Sequence, residues 1–306
     1  MSSSRLAYLC FIALLLITLL STGVRAQTTV AWPGNVSSDW FEAGNWNPGV
    51  IPSTTDTVCI SGGANPAILG SDVVTITSLT VEEAGAFTLA EGASLTLTEG
   101  KTGLVVTTEA TVNGTLLIKN QSLAGATISD KLTIGANGSL TLDSLSLTAS
   151  DSVIVAGSVV VTGSRSAGVF LEGINAALLV EAEGFCLLNG SSDTGLSVSS
   201  GEVSVAGAMT VLNGISQGIF LGGGTMTITE TGTLQVTDNQ GVGLQANNNI
   251  PIDNYGLLAI SGSGGRAING GDIDNQTGST LRVEGTIASD ISYASGARFA
   301  PGNSPG

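Results

Sequence analysis

A five-residue pattern recurs through this chain: glycine, a usually small residue, an apolar residue, any residue, an apolar residue. It reads Gly114-Thr-Leu-Leu-Ile, Gly138-Ser-Leu-Thr-Leu, Gly157-Ser-Val-Val-Val, Gly184-Phe-Cys-Leu-Leu, Gly207-Ala-Met-Thr-Val, Gly232-Thr-Leu-Gln-Val and Gly256-Leu-Leu-Ala-Ile. Slightly lengthened copies flank these at Gly92-Ala-Ser-Leu-Thr-Leu and Gly278-Ser-Thr-Leu-Arg-Val. The nine glycines stand 22, 24, 19, 27, 23, 25, 24 and 22 residues apart, a mean period a little over 23. Units this short cannot bury an apolar face alone and must stack on their neighbours, so the architecture is a solenoid.

Each copy alternates as a strand does, with the apolar pair facing one way and the residue between facing the other. A second strand runs through Gly168-Val-Phe-Leu, Gly195-Leu-Ser-Val, Gly218-Ile-Phe-Leu and Gly241-Val-Gly-Leu. A third includes Leu178-Leu-Val, Val203-Ser-Val, Met226-Thr-Ile and Ile250-Pro-Ile. Three short strands per period are expected to fold as an all-β, right-handed, three-sided parallel β-helix of about nine coils. Its inward positions should stack as Leu116, Leu140, Val159, Cys186, Met209, Leu234 and Leu258 in one row, with Ile118, Leu142, Val161, Leu188, Val211, Val236 and Ile260 in the next. Glycine, with 43 copies, is expected at positive-φ corners. Proline occurs four times between Pro33 and Pro66 and is then absent until Pro251, as ladder hydrogen bonding requires.

Composition narrows the function. The 24 acidic residues outnumber nine basic ones, a formal charge of −15, which argues against nucleic-acid binding. Histidine is absent, which removes Ser-His-Asp and Cys-His nucleophile pairs and His-ligated zinc. Residues 1–26 read as a secretory signal peptide: Arg5, an apolar stretch from Leu6 to Leu20, then Val24 and Ala26 at −3 and −1 of a cleavage site. That stretch is shorter than the ~20 residues a membrane span needs. Cleavage leaves seven basic and 24 acidic groups, a charge of −17, and two cysteines, Cys59 and Cys186. Two cysteines so far apart do not form a disulfide framework, and Cys186 falls on the core row rather than in a nucleophile's setting.

The ends depart from the repeat. All three tryptophans, Trp32, Trp40 and Trp46, lie before the first coil. They admit two readings, a sugar-stacking surface or a cap over the first coil's apolar cross-section, and the need of solenoids for atypical terminal units favours the cap. The expected organisation is a signal peptide at 1–26, a cap region at 27–78, the β-helix at 79–298 and a tail at 299–306 that continues in a longer parent protein.

Parallel β-helices also carry polysaccharide lyases and hydrolases, which hold Ca²⁺ on outward carboxylates near a basic residue. The candidates here are Asp253 and Asp274, in matching Ile-Asp-Asn sequences at 252–254 and 273–275, with Asp272 and Arg266 nearby. The same letters also suit turn aspartates beside an Asn254–Asn275 amide ladder, with no metal and no cofactor, and this reading is favoured. A threonine array for ordering ice is not present, because the outward row reads Leu117, Thr141, Val160, Leu187, Thr210, Gln235 and Ala259.

The opening pattern Asp39-Trp40, Gly44-Asn45-Trp46, Pro48-Gly49, Ile51-Pro52-Ser53 and Asp56-Thr57-Val58-Cys59-Ile60 resembles the head region of large secreted bacterial β-helix proteins. The tail Phe299-Ala-Pro-Gly-Asn-Ser-Pro-Gly306 is similar to a motif of autotransporter-type passengers and other surface-exported proteins. The resemblance implies a secreted or cell-surface adhesive or scaffolding element, with extracellular glycans or surface proteins as partners. The expectation is a non-catalytic segment, with a carbohydrate-active enzyme as the alternative.

Overall fold

The computed structural model describes residues 28–247 and 249–301; the expected signal segment and Gly302 to Gly306 of the tail lie outside the described residues. The chain is an all-β parallel solenoid whose single 3-10 turn, Ala43–Asn45, is its only helical element among those residues. Every strand inside the stack pairs with strands about one period before and after it, the end strands pair on one side, and three strands fill each turn. Ser94–Thr98, Thr102–Val106 and Glu109–Val112 make up one turn, and each pairs in parallel with its counterpart in Thr115–Lys119, Ala124–Ile128 and Lys131–Ile134. Three ladders result: the first holds Thr102–Val106 and Ala124–Ile128, the second Glu109–Val112 and Lys131–Ile134, and the third, which carries the glycine motif, Ser94–Thr98 and Thr115–Lys119. Parallel pairing begins with Thr29–Ala31 on Thr57–Ile60 and runs to Arg298–Pro301 on Thr280–Val283.

The third ladder holds eleven strands, from Val73–Ile76 to Arg298–Pro301, two more than the nine copies of the motif, and spans ten steps. Its first strand lacks the motif glycine, and its last, Gly296-Ala-Arg-Phe-Ala-Pro, keeps the glycine but ends on proline, so the repeat undercounts it. At ~4.8 Å per step the stack is roughly 48 Å long.

The core is the interior of this stack. Leu116, Leu140, Val159, Cys186, Met209, Leu234 and Leu258 follow one another in register and are buried, as the alternation of the motif requires. A fully buried side chain of this kind contributes about 1.5–3 kcal/mol over an exposed one, so the rows are the main source of cohesion. Among the described residues no disulfide assists: Cys59 and Cys186 are free thiols.

In two places the register differs from the spacing in the sequence. Ile219 pairs with Leu244, so Gly218 is followed one turn on by Gly243, not Gly241. Met226 pairs with Ile252, and Ile250 lies before the strand. A slip of two residues keeps every side chain on its own face, so hydrophobic alternation alone cannot detect it.

Of the nine motif glycines, Gly92 and Gly278 hold the positive φ expected, and the interior ones have a different cause. Gly138, Gly184 and Gly232 are not in the left-handed region; a Cβ at each would collide with the backbone carbonyl oxygen of Val112, Val155 and Val205 one turn earlier. Close approach of successive turns requires them. The left-handed corner lies after each of the eight third-ladder strands from Ser94–Thr98 to Leu257–Ser261 and is taken by Glu99, Asn120, Ser144, Gly163, Gly190, Asn213, Asp238 and Gly262, with φ between 54° and 73°. Only three of these eight are glycine.

Candidate functional site

The tryptophans close the start of the stack. Trp32 and Trp40 each meet Trp46 edge to face at 4.7 Å, and Trp40 reaches Phe87 at 6.0 Å. Trp46 Nε1 donates to the Trp40 carbonyl at 2.7 Å and Trp32 Nε1 to the Asn65 carbonyl at 3.0 Å. Asn45 is fully buried and folds the preceding loop around itself. Its Oδ1 accepts from the Val36 and Ser37 amides, and its Nδ2 donates to the Asp39 carbonyl and Ser37 Oγ. The rings are 1%, 0% and 3% exposed, which leaves no open face on which a pyranose could stack.

The acidic candidates sit on outward positions of the second ladder. Asp253 is in register with Asp274, and Asp272 with Asp290. Asp253, Asp272, Asp274 and Asp290 line a shallow groove of about 480 Å³ with Pro251 and Ser292. Arg266 does not join them: its Nη1 donates to Asn269 Oδ1 at 2.6 Å. Among the described residues no group of three or more His, Cys, Asp or Glu is disposed to hold a metal ion. The asparagines beside these aspartates point inward. Asn254 and Asn275 are 0% exposed and continue the core row that holds Ile228. Asn254 Nδ2 donates to Asn275 Oδ1 at 2.9 Å and to the Thr280 carbonyl at 3.2 Å, and Asn275 Nδ2 donates to the Ser292 carbonyl at 3.3 Å.

Asp290 is absent from the residues that the sequence singles out, because its strand reads Ile291-Ser292-Tyr293 where the two preceding turns read Ile-Asp-Asn. The available signal is the match of Asp290-Ile-Ser to Asp272-Ile-Asp, 18 residues apart.

A second feature emerges only when outward positions are read by face. The strand segments of the first ladder, from Thr29–Ala31 to Val242–Ala246, contain no charged residue. Nor do five successive strands of the third ladder, from Ser158–Thr162 to Leu257–Ser261. Charge is confined to the turns, the second ladder and four strand positions of the third, Lys119, Asp143, Arg282 and Arg298. The second ladder carries the Lys131–Glu109 ion pair at 2.9 Å, formed between adjacent turns. On the third ladder Leu187 stands between Val160 and Thr210, and Phe185, 38% exposed, between Ser158 and Ala208. On the first, Phe170, Ser197 and Phe220 follow in register.

The thiols are not reactive groups. Burial pushes Cys186 up to about 12, and Cys59, which donates to Glu82 Oε1 at 3.1 Å, is raised to about 11 by burial first and by that carboxylate second. Among the described residues no helix is long and apolar enough to cross a membrane.

Residues 31–124, less than half of the chain, match a family model described as a domain of unknown function (DUF8693). No curated protein matches the chain. Among solved structures, the chain is similar to a TibC-catalyzed hyper-glycosylated fragment of TibA, with 18% identity, a TM-score of 0.24, and coverage of 81% of this chain and 96% of that one.

Proposed function

We propose that the chain is a secreted structural or adhesive cell-surface β-solenoid segment without catalytic activity, whose partners are extracellular glycans or surface proteins. The observation that carries this reading is the segregation of charge. A chain with a net charge of −15 keeps the strands of the first ladder from Thr29–Ala31 to Val242–Ala246, and five successive strands of the third, free of charge, with Phe170, Phe185, Leu187 and Phe220 on them. A rigid stack with flat, uncharged outward rows suits lateral docking, in which hydroxyl and apolar groups meet a neutral surface without desolvating ions.

The test is retention of the secreted protein on insoluble neutral polysaccharides and on mucin-coated plates. Leu187→Asp places a carboxylate mid-face and is expected to cut retention at least tenfold with an unchanged circular dichroism spectrum. Retention unaffected by Leu187→Asp and by Phe220→Asp removes the faces from the reading.

The in-register Asp253 and Asp274, flanked by Asp272 and Asp290, favour a second reading, a carbohydrate-active enzyme that works through these carboxylates, with Arg266 held outside the groove by Asn269. Incubation with acidic and neutral polysaccharides, with and without Ca²⁺, distinguishes the two. Product release that Asp274→Ala abolishes establishes the enzyme.

A further inference from the structure

The uncharged run of the third ladder ends in a cleft whose side chains take the adhesive reading further. On the outward face of this ladder Thr210, Gln235, Ala259, Arg282 and Ala300 follow one another in register. Two residues further along the chain from the middle three stand Thr237, Ser261 and Glu284. The central turn therefore presents a methyl group and a short hydroxyl between longer side chains on both sides. Gln235 and Arg282 are two steps apart, about 9.6 Å, with Ala259 as the floor between them. These six side chains line a cleft of about 240 Å³. The strands that carry it lie inside the stack, with Ala208–Leu212 before them and Arg298–Pro301 after. Arg282 and Glu284 form no ion pair with each other or with another described residue, so guanidinium and carboxylate both keep their hydrogen-bonding capacity.

We propose that this cleft binds one neutral hexopyranose unit of an extracellular glycan, an inference that rests on the adhesive reading and gives it a ligand and a place. A pyranose ring has an apolar C–H face and a rim of hydroxyls, each of which both donates and accepts. The Ala259 methyl meets the face. On the rim Arg282 only donates, Glu284 only accepts, and Gln235, Thr237 and Ser261 do both. The planar amide, guanidinium and carboxylate groups each offer two adjacent polar atoms, the geometry that spans a pair of neighbouring hydroxyls. The charges of the cleft sum to zero, so its ligand needs none. A carboxylated sugar would gain Arg282 but set a second negative charge beside Glu284, on a chain with a net charge of −15. A sugar bearing an ammonium group would meet Arg282 in the same way. The cleft is shallow, so a single unit binds in about the millimolar range.

The test titrates the full secreted chain with soluble oligosaccharides of glucose, mannose or galactose and, separately, with oligogalacturonate, and follows the backbone amides by NMR. At least one neutral oligosaccharide is expected to shift the amides of 235–237, 259–261 and 282–284 with a millimolar midpoint, and oligogalacturonate to bind at least tenfold more weakly. Ala259→Leu fills the floor and should weaken the neutral sugar at least tenfold with an unchanged circular dichroism spectrum, since Leu187 already occupies the same outward row. Arg282→Ala should weaken it at least fivefold. No shift at these residues with any neutral oligosaccharide overturns the proposal, as does binding that Ala259→Leu leaves intact. Tighter binding of oligogalacturonate, lost in Arg282→Ala, overturns the neutral ligand. Retention on polysaccharide that Leu187→Asp abolishes and Ala259→Leu does not touch removes the cleft and keeps the adhesive faces. Sugar binding in the cleft, with retention unaffected by Leu187→Asp and Phe220→Asp, keeps the cleft and removes the faces.

Discussion

At the residue scale, the glycines have two distinct roles that substitutions separate. Gly138 is needed because a side chain there would meet the Val112 carbonyl, so Gly138→Ala must push two turns apart. A cost of about 2–3 kcal/mol is expected, read as a lower urea midpoint at unchanged slope. Ser144 holds a φ of 62° at the left-handed corner. Relief of about 1–2 kcal/mol of backbone strain in Ser144→Gly, offset by up to ~1 kcal/mol of glycine entropy, should leave that variant level with or slightly above the parent. Opposite signs from two changes at neighbouring corners exclude a generic loss of flexibility. The thiols give the pH dependence. Folded Cys186 keeps its proton up to about 12 and Cys59 up to about 11, from an ordinary value of 9.0. Between these limits the unfolded chain releases protons that the folded chain retains, so stability is full below pH 9 and falls as pH rises. Urea midpoints at pH 8 and pH 10.5 check this, and Cys186→Val should flatten most of the decline.

At the element scale, the Asn254–Asn275 pair shows both what can be read from this sequence and what cannot. Strict alternation and a glycine at a fixed offset make the third ladder's rows legible from Leu116 to Leu258, because only one face of each strand offers a continuous apolar set. The second ladder is harder to read. Its row runs Met226, Ile252, Ile273, and beside it Ile228, Asn254, Asn275, where the core changes from aliphatic to amide in one step. Ile250 imitates the missing apolar partner two residues early. The uncharged faces escape a linear reading altogether, since they exist only once the turns are stacked and the charges are seen to fall at corners. The amide pair itself is a buried, partly satisfied unit: Asn254 Oδ1 has no partner in the structure. Asn254→Leu or Asn275→Leu alone strands the remaining amide and should cost about 1–3 kcal/mol. The double Leu variant restores an apolar row like that of Ile228 and should come within about 1 kcal/mol of the parent or exceed it. A double-mutant cycle by urea denaturation measures the coupling.

At the scale of the whole molecule, the stack behaves as a one-dimensional array in which each turn is held by its neighbours. Interior turns such as Phe185–Asn189 have a turn on both sides. The last described turn has one, and its core side chains are nearly half exposed. The first has one neighbouring turn and the tryptophan cluster in place of the other. Opening should therefore propagate from residue 301 inward, because fraying there exposes little apolar surface that was not already wet, whereas fraying at the start must unpack three buried indoles. Hydrogen-exchange mass spectrometry should find exchange fastest in 287–301, slower in 29–60 and slowest in 158–212. Salt should slow exchange throughout by screening the net charge of −15 without changing this order, since the order comes from packing. Equal protection at both ends in dilute protein would instead mean that the cap adds nothing to the end it covers.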